Sequence, residues 1–173
     1  MMRRDRVLRF TVALLRILLV LNIVVAIGFV AGAIASVPLH DWIATRIAAA
    51  HPAADAARVA GGIRLLLLLG AVAAVPAHWI FSRLAAVIGT VRAGETFVAP
   101  NAARVRQIGW ALLAIQLLDF PLLLIVRRFE GLGIGPDGSM ISIGGWLSVL
   151  VAFVLARVFA EGAALREDLE GTV

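Results

Sequence analysis

Apolar and polar residues alternate along this chain in long blocks. Residues 10–36, 59–81, 107–126 and 144–160 are four apolar runs separated by shorter polar stretches. A run of about 20 apolar residues is what a helix needs to cross the roughly 30 Å hydrocarbon layer. Four membrane-spanning helices are therefore expected, within one transmembrane domain covering the whole chain. The segment 39–58 lies outside, and its stretch DWIATRIAAA predicts a short surface helix capped by Asp41, with Trp42, Ile43 and Ile47 sharing a side. Pro52 suits the first turn of the second span, and Pro76 predicts a kink within it. Leu84, Val87, Ile88 and Val91 keep helical spacing past that span, up to a glycine stop at Gly94. A cytoplasmic connector, 82–106, leads into the third span, with Pro100 holding Ala99 extended and Asn101 as its N-cap. Pro121 loosens that span's outer half. Between the third and fourth spans, GLGIGPDGSMISIGG reads as an external β-hairpin turning at Pro136-Asp137-Gly138. The tail is 161–173.

Composition agrees with the bilayer as solvent. The chain has 173 residues, 62% hydrophobic and 16% charged, and a soluble domain of that size needs more polar surface. With no Cys, disulfides and thiolate sites are excluded. The basic residues before residue 10 resemble a signal peptide's start, but 10–37 is far longer than a signal peptide's apolar core. The net charge of +5 comes entirely from arginine among the basic residues, and its distribution sets orientation. Arg3, Arg4, Arg6, Arg9, Arg83, Arg92, Arg104, Arg106, Arg157 and Arg166 fall on one side, against Arg46, Arg58, Arg64, Arg127 and Arg128 on the other. The positive-inside rule then puts both termini in the cytoplasm. The fold class is all-α, N-in and C-in, with the hairpin outside. Trp79 and Trp110 mark the inner interface, Trp42 and Trp146 the outer one.

Asp119 is the one acid expected inside the bilayer, about twelve residues or 18 Å into its span. A charge at that depth needs a partner or a proton. Gln116 shares its helix face, and Asn22 and Arg16 lie at comparable depth on the first span, so these four are expected to form an intramembrane polar cluster. Such a cluster serves as a structural clamp or, in the sharper reading, as an ion site. Gly28 and Gly32 allow close approach of another helix. His40, Asp41, His51 and Asp55 match no zinc spacing, so no metal is expected. No nucleophile–base motif and no phosphate loop is present, which argues against an enzyme and against a cofactor. The connector arginines lack the stacking aromatics of a nucleic-acid surface, so direct nucleic-acid binding is not expected and anionic headgroups suit them better.

Two segments carry a resemblance. Gly94 to Trp110, GETFVAPNAARVRQIGW, is similar to the G-x-x-F-x-x-x-N-x-x-R-[LV]-R-x-I-[GA] pattern of the bacterial family called domain of unknown function 2975. Val158 to Val173, VFAEGAALREDLEGTV, resembles that family's ending V-F-x-x-G-x-x-L-x-x-[DE]-x-x-x-T-V. The matched positions include Gly94, Phe97, Asn101, Arg104 and Arg106 in the connector and Gly162, Asp168 and Thr172 in the tail. The resemblance implies an integral inner-membrane protein of undefined activity, with no catalytic residues to carry over. Members are often encoded beside a small helix-turn-helix transcription regulator, which makes such a regulator the expected partner, besides lipid and a second copy of the chain. On charge alone, Glu167, Asp168 and Glu170 could dock the tail against Arg104 and Arg106. The leading expectation is a non-enzymatic membrane partner or sensor; the alternative is a small transporter or channel component built on Asp119.

Overall fold

The computed structural model describes residues 2–129, 132 and 142–170, with side chains described from Arg9 to Leu169. Among these described residues six helices follow in order: α1 (Met2–Ala35), α2 (His40–Ala50), α3 (Ala56–Arg92), α4 (Ala99–Leu117), α5 (Asp119–Val126) and α6 (Ile143–Glu170), with a 3₁₀ turn at Arg127–Phe129. Among the described residues four stretches are long and apolar enough to cross a membrane: Arg9–Ala35, Ala56–Arg92, Ala99–Phe129 and Ile143–Leu169. This is a multi-pass membrane architecture. At 37 residues α3 extends about 55 Å, well past the hydrocarbon thickness, so part of it protrudes.

The expected β-hairpin is corrected. Among the described residues every regular element is helical. The hairpin's second run would have used Ile143 to Gly145, which are instead the first turn of α6. A lone two-stranded hairpin is marginal in water, whereas each residue added to an existing helix gains a backbone bond. Its turn at Pro136-Asp137-Gly138 lies outside the described residues.

By internal packing the chain divides into two compact units, Met1–Asn22 with Pro76–Ala114 and Ile143–Val173, and Ile23–Val75 with Ile115–Ser142. In the second unit a cationic side chain holds the end of one helix. Arg64 of α3 donates from Nε to Ser36 Oγ at 3.0 Å and from Nη2 to the Ser36 carbonyl at 2.9 Å. The Ser36 hydroxyl in turn donates to Ala33 O at 2.7 Å. A guanidinium at a helix C-terminus meets both the orphan carbonyls and the negative end of the dipole. Arg64 thus closes α1. Glycines let the same helices approach: the Phe29 ring lies where a Gly70 Cβ would be, at 2.8 Å, and Leu67 sits 3.4 Å from the Cβ position of Gly32. Gly28 has open space around it.

Local capping departs from the sequence reading at two places. Asp55, not Pro52, starts α3, its Oδ1 accepting the Arg58 N–H at 3.1 Å. Asp41 lies inside α2, which begins one residue earlier at His40 and has no side-chain cap. Its neighbour Trp42 is exposed, with Arg46 stacked 5.3 Å above the ring, which suits a helix lying at a membrane surface. The third span is broken at Leu118, where its N–H bonds to Ile115 O in a tightened turn. Pro121 is the cause: its nitrogen cannot bond Leu117 O and its ring crowds that carbonyl.

Replacing Arg64 by Met removes two charge-assisted bonds from a half-buried site. A loss of about 1.5–3 kcal/mol per such bond is the upper range, so Arg64→Met should lower the thermal midpoint in detergent well below that of the exposed control Arg46→Met. Equal midpoints for the two variants would show that Arg64 does not hold α1.

Candidate functional site

The site lies in the first unit, where α3 ends, α4 begins and α6 passes. Gly94 makes the turn possible. With φ +84° it adopts the left-handed conformation that a side chain would strain. The Gly94 N–H bonds Val91 O at 3.2 Å and the Glu95 N–H bonds Thr90 O at 2.9 Å, closing α3 with both bonds of a Schellman motif. Only residues 93–98 then remain before α4. The connector is thus six residues long, and most of the stretch expected as connector is helix.

Asn101 holds this turn. It is 0% exposed. Its Nδ2 donates to Thr90 Oγ1 at 2.8 Å and to the carbonyl of Thr96 at 3.0 Å, with Glu95 O at 3.3 Å. Its Oδ1 accepts from Arg104 Nη1 at 2.8 Å. Thr90 completes the set by donating its hydroxyl to Val87 O at 2.8 Å. Every polar hydrogen and lone pair that burial would penalise finds a partner. This corrects the N-cap role given to Asn101. Helix α4 starts at Ala99, with Pro100 in a first turn that does not need its N–H, so Asn101 is already inside the helix and its amide is free to face back onto α3.

Phe97 fastens α6 to the same turn. Its ring centroid is 5.5 Å from that of Phe159, and a Cβ on Gly162 would sit 2.6 Å from Phe97 Cδ1. Only a glycine admits the ring there. One level away, Trp110 meets Phe153 edge-on at 5.3 Å, and Gly109 lies under the same Phe153 ring at 3.3 Å from its Cβ position.

Between these aromatic contacts α4 and α6 leave an open groove of about 460 Å³. Its walls are alanines, among them Ala102, Ala103, Ala156, Ala160 and Ala163, and its rim carries Arg106, Arg157 and Glu167. Arg157 Nε pairs with Glu161 at 2.9 Å across one helical turn. That pair is exposed, a kind worth less than about 1 kcal/mol, so Arg157 can leave it cheaply.

The sequence-expected residues are thus sorted. Gly94, Phe97, Asn101, Arg104 and Gly162 come together at the turn, and Arg106 joins the groove with Glu167. Asp168 is exposed on α6. Thr172 lies outside the described residues. Of the intramembrane four, Arg16 and Asn22 belong to the first unit and Gln116 and Asp119 to the second. Arg16 is exposed. Gln116 is buried and donates to the Ser142 carbonyl at 3.3 Å. Asp119 is half-buried at the first position of α5, directly after the break. Thr90, Phe153 and the alanine walls went unnoticed in sequence, and Phe159 entered only as part of the tail signature, with no contact assigned to it.

The model of a family described as Protein of unknown function (DUF2975) matches residues 42–173. The match takes in α3 to α6 and both signature segments and leaves α1 outside. No curated protein and no solved structure matches the chain.

Asn101→Leu keeps similar bulk but takes the amide partner from the Thr96 and Glu95 carbonyls and from the Arg104 guanidinium, while the Thr90 hydroxyl keeps Val87 O. With about 1–3 kcal/mol for each buried group left unpaired, it should destabilise more than Gly94→Ala, whose strain is about 1–2 kcal/mol. Limited proteolysis at residues 93–98 with thermal melting checks both. An Asn101→Leu protein as resistant as wild type would show that the amide does not hold the turn.

Proposed function

We propose that this chain, which belongs to the DUF2975 family of proteins of unknown function, is a non-enzymatic inner-membrane protein of bacteria that binds a cytoplasmic protein partner at the alanine-walled groove. Both termini lie in the cytoplasm in this reading, following the arginine distribution, so the groove opens on the cytoplasmic side of Trp110. The observation that carries the proposal is the groove itself. Small residues on two adjacent helices leave a trough within the size range of ligand pockets. Its depth suits the apolar ridge of an amphipathic helix, recognised in the helix-in-groove manner. The rim, with two arginines against one glutamate, favours a helix with acidic flanks. The partner in this reading is a small helix-turn-helix transcription regulator, held at the membrane and released when the groove changes.

A second reading rests on Asp119. An acid at membrane depth beside a broken helix, where the C-terminal end of α4 meets Asp119, resembles the discontinuous helices around which transporters place coupling ions. It supports a small transporter or channel component.

A photoreactive residue at Ala103 or Arg106, with Trp42 as control position, tests the first reading in cells. A DNA-binding regulator captured from Ala103 and Arg106 but not from Trp42 is the expected result. Adducts with lipid or with the chain alone would remove the proposal and leave Asp119→Asn, assayed for proton-linked uptake, as the next experiment.

A further inference from the structure

The helix α1 is the least covered of the four spanning helices. Among the described residues 6% of its apolar stretch is buried, against 17–22% in the other three. Arg16 lies on this bare surface and is exposed. Ala13 and Val20, three residues before it and four after, share its face and are exposed as well. Ile17 beside it is 63% exposed. Among the described residues Arg16 makes no hydrogen bond and no ion pair. It stands seven residues after Arg9, where the apolar stretch opens, or about 10 Å into that stretch. A guanidinium keeps its proton in a protein. In hydrocarbon it therefore needs an anion at its own depth or a path to one.

We propose that Arg16 binds the phosphate of an anionic phospholipid in the leaflet at the N-terminal end of α1, drawing that headgroup down onto the helix. Side chains of a helix lean toward its N-terminus, so the guanidinium is carried toward the nearer headgroup layer. Its aliphatic stem stays in hydrocarbon meanwhile. Ala13 lies along that path, and its single methyl leaves the way open. The planar fork of the guanidinium matches two phosphate oxygens. An anionic headgroup brings the net negative charge that Arg16 lacks in the protein, whereas a zwitterionic one carries its own cation. A two-fold contact between copies on this face would set two Arg16 side chains against each other at one depth, which like charges oppose. The site is separate from the alanine-walled groove, whose lining includes no residue of α1, so it does not rest on the partner reading.

The test uses the full chain in phosphatidylcholine nanodiscs doped with phosphatidylglycerol that carries a photoreactive headgroup, with adducts mapped by peptide mass spectrometry. Labelling of α1 between Ala13 and Val20 should exceed that from phosphatidylcholine carrying the same group. Arg16→Leu should reduce the labelling by about tenfold or more, as loss of one charge-assisted bond predicts. Because Arg16 holds no protein partner, Arg16→Leu should keep the wild-type thermal midpoint in phosphatidylcholine alone, which separates a lost lipid from a lost fold. Arg16→Gln keeps a polar side chain without the charge and should lose labelling to the same extent, so the proposal stays testable should the leucine variant misfold. In native membranes a photoreactive residue at Ile17 should capture lipid. Equal labelling of wild type and both variants, equal labelling by the two lipids, or capture at Ile17 of a second copy or of another protein's span would overturn the proposal.

Discussion

A carboxamide with no exposure to solvent must satisfy two donors and an acceptor inside the protein, or its burial costs more than folding can spare. Asn101 meets that demand with a threonine on the helix before it, a carbonyl of the connector and an arginine on its own helix. Each partner lies on a different piece of chain, so the amide fixes where α3 stops, how the connector runs and how α4 begins. Gly94 supplies the one backbone conformation that lets three such pieces meet within six residues. Phe97 then extends the arrangement to α6, because the same short connector aims its ring at Gly162.

This end of the protein is built from small residues and rings. Among helices packed in lipid, apolar burial gives little preference for one neighbour over another, and close approach of backbones does the discriminating. Gly162 and Gly109 admit aromatic rings, and alanines elsewhere on α4 and α6 do not fill the space between them. The result is a firm turn beside an unfilled groove, with arginines placed at the margins of the groove.

The other half shows the same economy with a different device. Arg64 reads in sequence as a charge near the end of a span, with water as its obvious partner. In the structure it closes α1 through Ser36, a residue with no pattern around it to suggest a role. Pro121 is the opposite case: its effect was local, so the break after Leu117 followed from the residue itself.

Four apolar stretches, the glycine stop at Gly94, the break near Pro121 and the two family signatures were set by the sequence alone, because each depends on neighbours within a few residues or on total apolar length. The connector's true length, the inward turn of Asn101 toward Thr90, the seat of Phe97 on Gly162 and the helical start of α6 in place of a strand were decided by tertiary structure. Thr90 and Asn101 are eleven residues apart and Phe97 and Gly162 sixty-five, and no local period reports such pairs. A short run such as SMISIGG satisfies strand and helix patterns equally over so short a length, and the long apolar helix that follows it takes in Ile143 to Gly145 as its first turn.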